Sequence, residues 1–186
     1  MIDIFPTPLA DALLIRPKRH GDARGWFMET FKAADFARAV PDTVFVQDNA
    51  AFSAEAGTVR GLHWQARPHG QAKLVRCARG RIVDVIVDLR RASVTFGKHA
   101  AFTLAGDDTA QLFVPEGFAH GYATLTPDCE VHYKVTAAWH KASERGLRFD
   151  DPALAIDWRL GGLAPIINAR DAAWPDLAAL QPGDFF

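Results

Sequence analysis

Residues 73–89, KLVRCARGRIVDVIVDL, constrain the fold more than any other stretch of the chain. Apolar and polar residues alternate on both sides of Ala78-Arg79-Gly80. A strand turns successive side chains to opposite faces, so the pattern reads as two strands and a tight turn, a hairpin signature. Further strand runs are predicted at Ala100–Leu104, Gln111–Val114, Gly121–Leu125 and Glu130–Val135, with Gly, Pro and Asp between them. Helical spacing is confined to Thr30–Val40, stopped by Pro41, and to a patch at Ala172–Leu180 broken by Pro175. Many short strands, few helices and no β-α-β alternation predict an all-β jelly roll or barrel with a few short peripheral helices.

Residues 1–186 are predicted to form one domain, since no repeat, low-complexity run or long linker interrupts them. The formal net charge is −1, so no broad basic field is available for nucleic acid. No apolar run approaches the ~18–20 residues that cross a bilayer. The opening residues, MIDIFPTPLADALLIRP, carry early acidic groups and no small-residue cleavage site. A secretion signal is therefore not expected, and the cytoplasm is the predicted compartment. The two cysteines, Cys77 and Cys129, lie in apolar strand-like runs and read as small core residues.

Alternation also assigns faces. Lys73 shares one with Val75 and Cys77, and Tyr133 shares one with Val131 and Val135. Two placements of Lys73 fit. It either enters the barrel interior, where its ammonium needs an anion, or begins its strand at the rim and snorkels to water. A barrel mouth holding a basic side chain, a phenol and histidines is a natural small-molecule site.

Four stretches carry reactive groups. They are Arg60-Gly61-Leu62-His63-Trp64-Gln65, Pro115-Glu116-Gly117-Phe118-Ala119-His120-Gly121, Tyr133-Lys134 and Arg170-Asp171. Each histidine taken singly reads as structural. On a regular strand Arg60 and His63 point to opposite faces, so a shared site requires irregular backbone near Gly61. No H-x-H pair occurs and the seven histidines show no metal-ligand spacing, so no metal is expected. No G-x-S-x-G occurs, and neither cysteine has an activating neighbour.

Taken together, these stretches resemble the dTDP-4-dehydrorhamnose 3,5-epimerase family, a metal-independent branch of the cupins. The similarity runs from about Arg19 to Asp171. It includes Asp22 to Glu29 (DARGWFME), Gln47-Asp48-Asn49, Arg60 to His63 (RGLH), Gln71 to Val75 (QAKLV) and Asp84 to Arg90 (DVIVDLR). It continues through Pro115 to Gly121, Tyr133-Lys134, Glu144-Arg145-Gly146 and Asp150-Asp151-Pro152.

The resemblance implies a cofactor-free homodimeric isomerase acting on a dTDP-4-keto-6-deoxyhexose, with an N-terminal segment exchanged between subunits. It implies His63 as general base with Asp171 as its partner, Tyr133 as acid on the opposite sugar face, and Lys73 and His120 around the keto oxygen. Arg24, Glu29, Gln47, Asn49, Arg60 and Glu144 match nucleotide- and pyrophosphate-binding positions, and Arg170 stands beside the dyad aspartate. Phe27 and Trp139 match residues that hold the thymine ring, from the same or the neighbouring subunit. Arg170 replaces the family's usual lysine, Asn168-Ala169 replaces a Ser-Glu pair, and Trp64 and Trp139 replace frequent tyrosines. Three functions therefore stand side by side: a 3,5-epimerase, a mono-epimerase or ketoisomerase on the same fold, and a non-catalytic sugar-nucleotide-binding cupin.

Overall fold

The computed structural model describes residues 2–186. Strands follow one another from the start: β1 (Ile2–Pro6), β2 (Leu13–Pro17), β3 (Arg19–Asp22) and β4 (Gly25–Met28). After a single helical turn, α1 (Ala33–Phe36), come β5 (Gln47–Ser53), β6 (Val59–Gln65), β7 (Lys73–Arg79) and β8 (Arg81–Asp88). They are followed by β9 (His99–Ala105), β10 (Gln111–Val114), β11 (Phe118–Thr124), β12 (Cys129–Val135) and the short β13 (Glu144–Gly146). A last helical turn, α2, spans Ala169–Ala172.

Two antiparallel sheets make the all-β sandwich expected from the strand pattern. One runs β1-β2-β10-β7-β12-β5 and the other β13-β6-β11-β8-β9, while β3 and β4 form a separate two-stranded hairpin. Between the sheets lies a core that includes Val75, Cys77, Ile82, Ile86, Leu112, Phe118 and Val131. Cys77 and Cys129 are both buried there as free thiols.

The hairpin expected over Lys73–Leu89 is not one. β7 pairs with β10 and β12, β8 pairs with β9 and β11, and the chain crosses from one sheet to the other at Gly80. Alternation specifies which side chains face inward, not which strand lies alongside. β8 is apolar on both faces: Ile82 and Ile86 enter the inter-sheet core, and Val83, Val85 and Val87 enter a second core outside the sheet. That outer layer includes Leu147, Leu154 and Trp158 from the C-terminal third. Both faces of β8 are thus covered, and β9 and β11 pair its two edges.

The expected helices are shorter than their patterns. Thr30–Val40 contracts to α1, whose Phe36 plugs an aromatic cluster with Phe31, Phe45 and Phe113 on the outside of the larger sheet. No side chain caps its first turn, and tertiary packing alone fixes its length. At Ala172–Leu180 the helical turn ends where it was expected to begin. α2 is capped by Asn168, whose Oδ1 accepts from Asp171 N at 2.7 Å, and Leu177–Ala179 forms a separate 3-10 turn beyond Pro175.

Candidate active site

Residues from both sheets, joined by Trp139 and by Arg170 and Asp171 of α2, line a cavity of about 430 Å³. β6 delivers Arg60 and His63, and β11 delivers His120 opposite His63 in register. The expected irregularity is present between them. The β6–β11 register shifts between His120 and Tyr122, and Gly61 has φ +104°. A Cβ on Gly61 would lie 2.7 Å from Gly121 Cα and from His120 O, so only glycine permits this approach. The shift lets Arg60 and His63 both line the cavity despite their odd spacing.

His63 Nε2 lies 2.8 Å from Asp171 Oδ1, and the imidazole is 25% exposed while the carboxylate is 1% exposed. Asp171 Oδ2 accepts from Gly61 N at 3.1 Å. Burial pushes the Asp171 carboxyl up, but the His63 and Gly61 hydrogen bonds and the Arg170 charge hold it down at about 2. Arg170 also pairs with Glu144 at 3.1 Å, and all three groups line the cavity.

Lys73 is an interior residue, 7% exposed, so the rim placement does not hold. Its Nζ donates to His63 O at 3.2 Å. Burial lowers the ammonium to about 8, opposed by the charge of Asp84. Tyr133, on β12 between Asn49 of β5 and Val75 of β7, lines the same space. Burial raises its phenol above the ordinary value, with Arg60 acting the other way. Gln47 and Asn49 join each other at 2.7 Å on this wall. Trp139 stands at the mouth, 57% exposed. Its loop is tied down by Gln65, which donates to Ala138 O at 3.2 Å, and by Gln71, which donates to Ala137 O at 2.6 Å.

An imidazole paired with a carboxylate, a phenol, an ammonium and further polar groups around one cavity can move protons on a bound carbonyl compound. No cluster of three or more His, Cys, Asp or Glu among the described residues has the geometry of a metal site.

Comparison with known proteins narrows the chemistry. The family model described as dTDP-4-dehydrorhamnose 3,5-epimerase matches residues 6–179. A protein of that name from Sinorhizobium fredii is 46% identical over 172 residues, 92% of this chain and 88% of the relative. The crystal structure of such an epimerase from Bacillus anthracis, with TDP and PPi bound, superposes with a TM-score of 0.91. It is 41% identical and covers 95% of this chain and 100% of that one. A Legionella pneumophila dTDP-6-deoxy-D-glucose-3,5-epimerase in complex with dTDP-4-keto-L-rhamnose gives 0.95 at 36% identity, covering 100% and 97%. The chain belongs to the dTDP-4-dehydrorhamnose 3,5-epimerase family.

Three of the residues expected to bind substrate are not brought to the cavity by this epimerase-family chain. Arg24 and Phe27 border a depression on the β3–β4 hairpin, where Phe27 is 65% exposed, and Glu29 borders another beside Lys32. Arg24 pairs instead with Asp22 at 2.6 Å.

In and behind the epimerase-family cavity stand groups to which sequence reading gave no role. Asp84, on β8 and fully buried, meets His120 Nε2 at 3.0 Å. The alternation that flagged Lys73 also sets Asp84 between Ile82 and Ile86 on an apolar face, so the signal was present. Tyr122 lines the wall beside Arg60, and burial raises its phenol to about 12. Trp174 lies edge-on to His63, centroids 6.3 Å apart, from a C-terminal segment that no local pattern connects to β6.

Proposed function

We infer that this chain is an isomerase that inverts C3 and C5 of dTDP-4-dehydro-6-deoxy-D-glucose to give dTDP-4-dehydro-L-rhamnose. The observation that carries this reading is the presence of His63, Lys73 and Tyr133 around one cavity in a member of this family. The hydrogens at C3 and C5 are acidic because the C4 ketone takes up charge as an enolate. His63 removes such a hydrogen as a proton, and Asp171 orients the imidazole and stabilises the imidazolium that forms. The Lys73 ammonium holds the developing oxyanion, a role typically worth a few kcal/mol of barrier. Tyr133, kept protonated by burial, delivers a proton to the opposite face of the carbon and is recharged by solvent. Each inversion exchanges one substrate proton for one solvent proton, so the reaction needs no oxidant and no cofactor.

The nucleotide and its pyrophosphate fall to Arg60, Gln47, Asn49, Glu144 and Arg170 at the mouth, with Trp139 against the base. Arginines suit the diphosphate because the guanidinium fork matches anionic oxygens. The enzyme works as a cytoplasmic homodimer. The placement of Arg24, Phe27 and Glu29 outside the chain's own cavity supports an arrangement in which each N-terminal hairpin serves the neighbouring subunit's ligand.

Incubation with dTDP-4-keto-6-deoxyglucose in heavy water tests the reading. Deuterium is expected at both C3 and C5. Label at one carbon alone identifies a mono-epimerase, migration of the ketone identifies a ketoisomerase, and thermal protection by dTDP without exchange identifies a binding protein.

A further inference from the structure

Two imidazoles, His63 and His120, line the cavity, each backed by a carboxylate; the resemblance sets His120 near the keto oxygen but gives its carboxylate partner no role. His120 on β11 and Asp84 on β8 are diagonal neighbours on the inner face of the smaller sheet, since His120 stands opposite Ile86 and Tyr122 opposite Asp84. Both Asp84 oxygens lie within hydrogen-bond distance of His120 Nε2, at 3.1 and 3.0 Å. Asp84 is wholly buried and the His120 side chain is 8% exposed. Among the described residues, every hydrogen bond that His120 makes through its ring uses Nε2, and its Nδ1 has no protein partner. The ring nevertheless forms part of the cavity wall.

An ionised carboxylate can only accept, so the proton on His120 must sit on Nε2. A second proton on Nδ1 would add a buried imidazolium to the buried Lys73 ammonium on the same cavity wall. Burial lowers the His120 pKa, the Lys73 and His63 charges act in the same direction, and Asp84 opposes them. One buried carboxylate does not neutralise two buried cations, and of the two Lys73 has the higher value, about 8.

We propose that Asp84 is a positioning residue that fixes His120 as its Nε2–H tautomer, so that the bare Nδ1 faces the cavity and accepts a hydrogen bond from a hydroxyl of the bound hexose. The inference rests on the proposed function for the identity of the ligand, and on geometry alone for the tautomer. It divides the work of the wall between two neighbours. Lys73, a donor, meets the keto oxygen, and His120, an acceptor, meets a hydroxyl. A wall made of two donors would grip any pair of oxygens. A donor beside an acceptor distinguishes a ketone from an alcohol on adjacent carbons, and so sets the position of the sugar in the cavity.

Nitrogen-15 NMR of histidine-labelled protein tests this, with the His120 signals assigned by their loss in His120→Gln. At neutral pH the free protein is expected to show a protonated Nε2 and an unprotonated Nδ1. Adding dTDP-glucose, which carries the hexose hydroxyls but no ketone, is expected to move Nδ1 alone. Asp84→Asn keeps an acceptor oxygen and retains the tautomer, whereas Asp84→Leu mixes the two tautomers; should the leucine variant not fold, the wild-type spectrum still decides. An imidazolium pattern, or a proton on Nδ1 with Nε2 bare, overturns the proposal. An Nδ1 signal that stays still when dTDP-glucose binds overturns its acceptor role. Failure of dTDP-glucose to bind overturns instead the proposed function and with it the hydroxyl as ligand, while the tautomer stands or falls on the free protein's spectrum. In a second arm, dTDP-glucose analogues with single hydroxyls replaced by fluorine are expected to include one that binds roughly three- to tenfold more weakly, the worth of one neutral hydrogen bond. Equal affinity throughout the series overturns the hydroxyl contact.

Discussion

The inter-sheet cavity and the β3–β4 hairpin carry the same kinds of residue under opposite conditions. Around the cavity, Lys73 and His120 are buried, Asp171 is 1% exposed, and Lys73, His63, His120 and Asp171 each have a hydrogen-bond partner. On the hairpin, Trp26 and Phe27 are more than half exposed, and the Arg24 side chain is 90% exposed with only Asp22 beside it. Burial changes what a charged group can do. The cavity's ammonium and phenol are shifted from their ordinary values by desolvation, and such groups are suited to moving protons. An exposed arginine and two exposed rings are suited to covering a ligand that another surface also holds. On the proposed function, the chemistry belongs to the cavity and ligand retention to the hairpin.

That division can be broken by measurement. The largest expected effect is that of His63→Ala, which should lower kcat by about 10²–10⁴-fold or more and stop deuterium entering C3 and C5, with the melting temperature little changed. Tyr133→Phe keeps the ring and loses the acid, with an expected drop in kcat of about 10²-fold. Here partial exchange without net inversion would show the two faces of the sugar uncoupled. Lys73 gives a pH signature. Its ammonium is lowered to about 8, so kcat/KM should fall as pH rises through that value while the cation is lost. Lys73→Arg, which stays charged, should move that limb upward; an unmoved limb would assign it to another group. On the hairpin, Arg24→Ala should raise KM roughly tenfold and leave kcat nearly intact, as expected for the loss of one charge-assisted contact. A fall in kcat like that of His63→Ala, with KM unchanged, would erase the distinction between the two regions. The smallest effect is expected from Asn168→Ala, which removes the cap of α2 and should cost about 1 kcal/mol in denaturant unfolding, with a modest loss of kcat through Asp171.

Much of this was legible in residue order. Period-two alternation placed Val75, Cys77, Val131 and Val135 inward with Lys73 and Tyr133 among them, because side-chain direction in a strand is a local property. The mismatch between Arg60 and His63 located the irregular backbone at Gly61, since two side chains three apart cannot share a face of a regular strand. The all-β class followed from the strand lengths and the punctuation between them. Partnership was not local. The two halves of 73–89 had the composition of a hairpin, yet they lie in different sheets, and the two apolar faces of β8 are covered by the inter-sheet core and by the C-terminal outer layer. Asp84 joins His120, Trp174 meets His63, and Asp171 reaches Gly61 only once sheets and C-terminal segment have packed. These contacts join residues far apart in the chain, and the strength of the charged ones depends on how much water the packing excludes. Residue order determined which groups face inward; the closing of two sheets over them decided which groups meet and how much water remains to screen them.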